Sequence, residues 1–153
     1  MSGFASYMRE ALREAEAAAA RGEAPIGAVI SRPGGPIIAA AGNRTREMND
    51  PTAHAEILAI RAACARLGVE RLPGVDIHVT LEPCAMCAAA ISFARIGRLY
   101  YAAADPKGGA VESGGRFFAQ PTCHHAPEVY GGIAEMEAAA LLRRFFRARR
   151  DPS

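Results

Sequence analysis

The sequence Val75-Asp-Ile-His-Val-Thr-Leu-Glu-Pro-Cys-Ala-Met-Cys-Ala88 joins a predicted strand directly to a predicted helix. Every second residue from Val75 to Leu81 is apolar, which is the period of a β-strand. Pro83 then opens a helix that is predicted to run from Cys84 to about Arg95. A strand that leads at once into a helix is typical of α/β proteins.

Further elements are predicted on both sides of this unit, each bounded by glycine, proline or a capping residue. They are a helix over 6–21, strands over 26–30 and 37–41 joined by the turn 32–36, a helix from 50 or 51 to 67, a strand over 98–102, a short helical turn near 117, a brief strand at 129–130 and a final helix over 134–149. Strands that alternate with helices predict a largely parallel sheet covered on both faces, with an antiparallel hairpin at its start.

The composition is that of one globular domain over residues 1–153, with 50% hydrophobic and 22% charged residues. It excludes a disordered chain, a collagen, a coiled coil and a small disulfide scaffold. The sequence has no run of 18 apolar residues and no signal-peptide pattern at its start, so we expect a cytoplasmic protein without a membrane partner. In that reducing compartment, paired cysteines indicate metal or redox chemistry.

Two short motifs carry the residue types of a metal site. His54-Ala55-Glu56 lies near the start of the second helix, and Cys84 and Cys87 lie at the start of the third. The cysteines are three residues apart on a helix, so both sulfurs can reach one ion. A helix N-terminus favours the thiolate form that binds metal, and one imidazole with two thiolates suits Zn²⁺.

The number of ligands indicates a catalytic zinc. Structural zinc sites use four protein ligands, whereas catalytic sites use three and leave a position for water. Glu56 lies about 200° from His54 around a regular helix, so we do not expect both to ligate one ion. A carboxylate beside the site can instead move a proton from water to the substrate.

Other interpretations of these motifs stay open from the residues alone. A C-x-x-C pair at a helix N-terminus is also typical of thioredoxin-like redox proteins, although such a pair needs neither His54 nor Glu56. A zinc-stabilised RNA-binding module without catalysis is another alternative, in which Glu56 has no role. The combination of both motifs, each after a proline and separated by a strand, favours the catalytic interpretation.

Over nearly its whole length, from about Ala5 to Arg150, the chain resembles the bacterial tRNA-specific adenosine deaminases of the cytidine and deoxycytidylate deaminase family. The segments that carry the resemblance are Gly42-Asn-Arg44, Asp50-Pro-Thr-Ala-His-Ala-Glu-Ile57, Val79-Thr-Leu-Glu-Pro-Cys-Ala-Met-Cys-Ala88, Arg95-Ile-Gly-Arg98, Asp105-Pro-Lys107 and Leu141-Leu-Arg-Arg-Phe-Phe-Arg-Ala-Arg-Arg150. The string T-L-E-P-C-x-M-C is characteristic of this branch of the deaminases.

The resemblance implies a three-layer α/β/α cytidine-deaminase-like fold, with a central mixed five-stranded sheet and helices on both faces. It also implies a homodimer with one zinc ion per subunit and no nucleotide cofactor. The implied reaction converts adenosine to inosine at the wobble position of a tRNA anticodon stem-loop: a zinc-bound hydroxide attacks C6, a glutamate shuttles protons and ammonia leaves. The alternative is a deaminase of a free base or nucleoside, of guanine, adenine or cytidine type, with the same zinc site.

Site residues follow from the matching positions. The family's zinc ligands match His54, Cys84 and Cys87, and its proton shuttle matches Glu56. The asparagine that hydrogen-bonds the base matches Asn43. The other substrate-binding positions that we expect are Ala55 and Ile26 in the base pocket, Asp105 and Lys107 in the anticodon-loop channel, and Phe146, Arg147 and Arg150 on the last helix.

The last helix has its own charge signal. Five arginines fall within residues 143–150 without an acidic residue among them, although the whole chain has a net charge of only +2. Such a cluster indicates contacts with phosphates, or alternatively a solvated helix end. We expect Phe145 to face the core, whereas Phe146 fits either the core or a nucleic-acid surface.

Two further segments lead to separate hypotheses. The helix from Ala85 to Ala94 has almost no polar side, so we expect a second subunit to cover part of it. Cys123, His124 and His125 lie together in a Gly/Pro-rich segment. One hypothesis is a second metal site there; the favoured one is that His124 or His125 borders the substrate channel and that Cys123 and Cys64 are free thiols.

Overall fold

The computed structural model describes the backbone of residues 3–150 and the side chains of residues 7–148. Within that range the chain forms four α-helices, five strands and a short 3₁₀ turn at Phe117–Ala119. In chain order the elements are α1 (Gly3–Ala20), β1 (Gly27–Ser31), β2 (Ile37–Gly42), α2 (Ala55–Leu67), β3 (Asp76–Leu81), α3 (Ala85–Phe93), β4 (Arg98–Ala103), β5 (Glu128–Tyr130) and α4 (Glu135–Arg150).

The five strands form one mixed sheet in the order β2-β1-β3-β4-β5. The hairpin strand β1 pairs antiparallel with both β2 and β3, whereas β3, β4 and β5 run parallel. The antiparallel hairpin is as predicted, and of the four pairings only that of β3 with β1 departs from the expected parallel arrangement. The helix α2 follows the hairpin and returns the chain to the middle of the sheet, so β3 enters beside β1 in the opposite direction.

Two helical layers cover the sheet, which confirms the predicted three-layer α/β/α fold. Alternate residues of each strand point to opposite faces. In β1, Ala28 and Ile30 belong to the core cluster shared with α2 and α3, whereas Val29 belongs to the cluster shared with α1 and α4. In β4, Leu99 and Tyr100 divide in the same way. The parallel strand β4 is thus apolar on both faces and buried between helices, whereas β3 alternates apolar residues with the buried polar residues Asp76, His78 and Thr80.

The start of α2 differs from the sequence prediction. We expected a helix from Asp50 or Pro51, but the helix begins at Ala55. The Asp50 carboxylate accepts hydrogen bonds from the amide and the hydroxyl of Thr52, at 2.8 and 2.7 Å. This side-chain turn competes with the helix at Pro51 and moves its start by four residues. His54 consequently takes the N-cap position.

A buried histidine lies on the α1 side of the sheet, away from the predicted metal site. His78 in β3 is 1% exposed, and its ring stacks on Tyr100 with a centroid distance of 4.8 Å. Its Nε2 lies 3.4 Å from the hydroxyl of Ser31, whereas its Nδ1 has no hydrogen-bond partner among the described residues. Burial lowers the pKa of His78 to about 4.

This histidine should make the fold sensitive to acid. Between about pH 6.5 and 4 the unfolded chain binds a proton at His78 that the folded chain does not, so stability falls as the pH falls. Urea unfolding should show the wild-type protein losing about 2 kcal/mol more than His78→Phe between pH 7.5 and 5. The exposed His124 provides the matched variant His124→Phe, which should keep the wild-type profile. Equal pH dependence in wild type and His78→Phe would contradict this account.

Candidate active site

Two helix N-termini meet at the carboxyl edge of the parallel strands. His54 is the N-cap of α2 and Cys84 is the N-cap of α3, and both have extended backbone dihedral angles. Cys87 follows in the first turn of α3 and is fully buried. Because an N-cap side chain lies at the end of the helix instead of along its flank, the two helices can present ligands to a common point.

The geometry of the three side chains fits a zinc ion. The His54 Nδ1 atom lies 3.7 Å from Cys84 Sγ and 3.5 Å from Cys87 Sγ. Ligands at ordinary zinc–nitrogen and zinc–sulfur distances in a tetrahedral site are separated by about 3.6 Å. Among the residues whose side chains are described, these three form the one His/Cys/Asp/Glu group whose ligand atoms all lie within 4.8 Å of one another. All four cysteines are free, and Cys84 and Cys87 are not joined in a disulfide.

The two thiols differ strongly in acidity. A hydrogen bond from the Cys87 thiol, together with one from His54, lowers the pKa of Cys84 to about 4. The same bond to Cys84, together with burial, raises the pKa of Cys87 well above its ordinary value. A hydrogen bond with Cys84 raises the pKa of His54. A divalent cation among the three ligand atoms would replace these hydrogen bonds and stabilise both thiolates.

Glu56 lies beside this group without belonging to it. It is the second residue of α2 and is only 4% exposed. Burial raises the pKa of its carboxyl to about 7, against the opposing effect of a hydrogen bond from its own backbone amide. The placement agrees with the expectation that Glu56 reaches the site without ligating the ion, and its role in proton transfer stays a prediction.

The predicted base pocket borders the start of α2. Asn43 is 5% exposed, and its Oδ1 accepts a hydrogen bond from the amide of Ala55 at 3.3 Å. This bond fixes the plane of the Asn43 side-chain amide next to the metal site. Ala55 is fully buried, and the half-buried Ile26 packs against the same core. The structure thus brings together Asn43 and Ala55 with the ligand His54.

Asp105 and Lys107 follow the carboxyl end of β4, on the next segment along the same sheet edge. The Asp105 carboxylate accepts hydrogen bonds from the amides of Lys107 and Gly108, which makes a tight turn. The amide of Asp105 donates to the carboxylate of Glu82, which is 2% exposed. No role for Glu82 follows from the sequence, where the one signal is that an acidic residue stands between a buried strand and the Pro83-Cys84 pair.

The residues predicted on the last helix lie in the other layer. The helix α4 packs with α1 against the opposite face of the sheet from α2 and α3. Phe146 is 45% exposed and contacts the half-buried Phe145 edge to face, and Arg147 is exposed. The side chain of Arg150 lies outside the described residues. No contact within residues 7–148 joins these side chains to the metal-binding group.

Cys123, His124 and His125 form no metal-binding group in the described part of the chain. The Cys123 thiol donates to the backbone oxygen of His125, and the His125 ring lies 2.8 Å from the backbone oxygen of Ile96. The Ser92 hydroxyl of α3 donates to the backbone oxygen of His125 at 2.6 Å, which fastens the segment to the end of α3. The hypothesis of a second metal site is therefore wrong for these side chains.

The family of this chain follows from comparison with known proteins. Residues 1–103 match the model of the cytidine and deoxycytidylate deaminase zinc-binding region. The chain belongs to this family of zinc-binding deaminases, and zinc is its metal. Among the described helices, none has the length and the apolar run needed to cross a bilayer.

Its similar relatives include tRNA-specific adenosine deaminases. That of Agrobacterium fabrum is 68% identical over 144 residues, which cover 94% of each chain, and that of Bacillus subtilis is 43% identical, over 92% of this chain and 87% of the relative. A solved structure of a tRNA:A34 deaminase is 68% identical, with a TM-score of 0.87 over 89% of this chain and 98% of that one. These matches confirm the resemblance stated from the sequence. A guanine deaminase from Nitrosomonas europaea shares the fold at 26% identity, with a TM-score of 0.77 over 95% of this chain and 85% of that one.

Proposed function

We propose that the chain, as a single zinc-dependent deaminase domain over residues 1–153, hydrolyses adenosine to inosine at the wobble position of a tRNA anticodon stem-loop. The reaction consumes one water, whose oxygen replaces the amino group on C6, and releases ammonia. The observation that carries the proposal is a three-ligand His/Cys/Cys group with a buried carboxylate beside it. The 68% identity to tRNA-specific adenosine deaminases over 94% of the chain supports tRNA as the substrate.

Each residue of the metal-binding group has a defined task in this proposal. His54, Cys84 and Cys87 hold the zinc ion. When bound there, zinc supplies a Lewis acid that makes water nucleophilic at neutral pH. Glu56 takes a proton from the attacking water at its carboxylate and delivers it to N1 of adenine. It then takes the proton of the new C6 hydroxyl and delivers that proton to the leaving amino group, so that ammonia departs and C6 keeps the oxygen as a carbonyl. Its burial among Cys87 and the start of α2 keeps bulk water away from that proton.

The base pocket is built from the neighbouring segments. An adenine must leave its stack before C6 can reach the metal site, so an unpaired anticodon loop is a natural substrate. The side-chain amide of Asn43, held by its bond to Ala55, is oriented to hydrogen-bond the base. Ala55 and Ile26 supply the apolar wall of the same pocket.

The RNA backbone requires contacts outside the pocket. We assign these to Asp105 and Lys107 at the sheet edge and to Phe146, Arg147 and Arg150 on α4. Exposed guanidinium groups suit phosphates, and an exposed ring suits an unstacked base. A tRNA substrate supports a cytoplasmic location.

A homodimer is the second part of the proposal. The helix α3 leaves one apolar side uncovered within the chain, where Phe93 is 67% exposed and Ala85 is also exposed. Half-buried Met86, Ala89 and Ala90 continue that side. Covering it with the same side of a second copy would bury these groups symmetrically.

The substrate and the role of Glu56 are tested together. Glu56→Gln should keep one zinc per chain and lower turnover of an anticodon stem-loop by about 10²–10⁴-fold, since it removes the proton carrier and keeps the shape. The control is Glu70→Gln, at an exposed glutamate beyond the end of α2. Wild-type activity in Glu56→Gln would contradict the assigned role.

The same assay separates the two candidate substrates. The fold shared with guanine deaminase favours testing free guanine and free adenosine beside the stem-loop. We expect inosine from the stem-loop, and loss of that activity when a chelator removes zinc. Reaction of the free compounds alone would replace the proposal with a nucleobase or nucleoside deaminase.

The arginines of α4 are tested by the salt dependence of RNA binding. Arg147→Ala combined with Arg150→Ala should weaken binding and flatten the plot of log affinity against log salt, by roughly one unit of slope per lost phosphate contact. Arg71→Ala changes an exposed arginine between α2 and β3 and should leave the slope unchanged. An unchanged slope in the double variant would indicate that these residues belong to a solvated helix end and make no phosphate contacts.

The dimer is tested by sedimentation. We expect the wild-type protein to be a dimer at micromolar concentration and Phe93→Asp to be a monomer, because a carboxylate cannot be buried unpaired in an apolar interface. Val69→Asp places the same charge at another exposed apolar residue, 46% exposed, and should stay dimeric. A wild-type monomer at that concentration would overturn this part of the proposal.

A further inference from the structure

One buried carboxylate holds a whole segment beside the metal site. Glu82 accepts five hydrogen bonds from the segment 105–113, and its side chain is 2% exposed. The amide of Asp105 and the hydroxyl of Ser113 donate to Oε1 at 2.8 and 3.0 Å. The amides of Val111, Glu112 and Ser113 donate to Oε2 at 2.9 to 3.0 Å. The bonds reach both ends of the segment, so the carboxylate closes it into a loop.

The loop also packs directly on this carboxylate. A Cβ atom added to Gly109 would lie 2.4 Å from the Glu82 Cδ, far inside van der Waals contact. The carboxylate therefore occupies the space that a side chain at residue 109 would need. Glycine is required there because of this contact, since its φ is not in the left-handed region.

The position of Glu82 in the chain joins this loop to the metal ligands. Glu82 follows β3 and precedes Pro83 and Cys84. Its own amide donates to the backbone oxygen of Ala103 at the end of β4, and the amide of Ala110 donates to the backbone oxygen of Pro83. Backbone hydrogen bonds at residues 82 and 83 thus join the turn that carries Cys84 to the end of β4 and to the loop that carries Asp105 and Lys107.

We propose that Glu82 is a positioning residue for RNA: its carboxylate fixes the loop 105–113 against the turn before Cys84, so that Asp105 and Lys107 meet the anticodon loop at a set distance from the metal site. This inference rests on the proposed function, because it assigns the loop to RNA binding. Glu82 itself touches no substrate. Its carboxylate accepts the five hydrogen bonds from the loop, and Glu82 acts through the residues that it holds.

The variant Glu82→Gln separates positioning from a merely structural role. The glutamine amide keeps the shape of the side chain, but its NH2 group replaces one of the two acceptor oxygens. The backbone amides that donate to that oxygen then lose their partner. We expect amide hydrogen exchange in residues 105–113 to become about tenfold faster or more. The KM for the anticodon stem-loop should rise by about tenfold, with kcat within about threefold and one zinc per chain retained.

The chain offers a matched control in another buried carboxylate. Glu23 is also 2% exposed and accepts two backbone amides, those of Arg46 and Glu47. Glu23→Gln makes the same chemical change under a different loop. It should speed exchange near residues 46 and 47 and leave exchange in 105–113 as in the wild type.

A second variant disturbs the contact from the loop side. Gly109→Ala should displace the Glu82 carboxylate and reproduce the faster exchange and the higher KM. Gly115→Ala adds the same methyl group where no atom lies within 4 Å, and it should behave as the wild type. Glu82→Asp keeps the charge and moves the carboxylate back by one methylene. Its KM should therefore lie between that of the wild type and that of Glu82→Gln.

The outcomes distinguish this inference from the proposed function. Exchange and zinc content are measured without turnover, so a wild-type protein inactive on RNA overturns the proposed function, while the exchange result still reports whether Glu82 holds the loop. Unchanged exchange in both Glu82→Gln and Gly109→Ala overturns the inference. Faster exchange with an unchanged KM also overturns it, because the loop would then be held for stability alone.

Discussion

The meeting of two helix N-termini at one edge of the sheet is the constraint on which the site depends. His54 and Cys84 both occupy N-cap positions, where the backbone is extended and the side chain leaves the helix end. The positive ends of two helix dipoles face the same place, which favours thiolates over thiols. The low pKa of Cys84, about 4, agrees with that field, although hydrogen bonds from Cys87 and His54 are its immediate cause.

The same edge shows how a small α/β domain keeps irregular segments rigid around a site. Two segments border the metal-binding group, and a buried carboxylate holds each of them through backbone amides. Glu23 lies under the segment that follows Asn43, and Glu82 lies under the segment that begins at Asp105. A carboxylate can accept several amides at once, so a single residue satisfies donors that would otherwise be buried without partners. The α1 and α4 layer provides neither of these carboxylates, and Arg143, Arg144 and Arg147 of α4 are exposed.

The sequence predicts the metal-binding group and the three-layer fold well, because both depend on local signals. The spacing of Cys84 and Cys87 on a helix and the alternation in β3 need no tertiary information. The direction of β3 beside β1 could not be predicted in the same way, since it depends on where α2 returns the chain. The start of α2 was placed too early, because the Asp50 carboxylate binds Thr52 and replaces the helical turn. Glu82 gave almost no signal, because the amides that it binds lie more than twenty residues away.

The central claim is that zinc at this site has three protein ligands and one exchangeable position. X-ray absorption at the zinc edge of the purified protein tests it directly. We predict a first shell of two sulfur atoms at about 2.3 Å and two nitrogen or oxygen atoms at about 2.0–2.1 Å, of which one shows the outer-shell scattering of an imidazole. A shell with a third sulfur, with two imidazoles or with no sulfur would show a different ligand set and contradict the account.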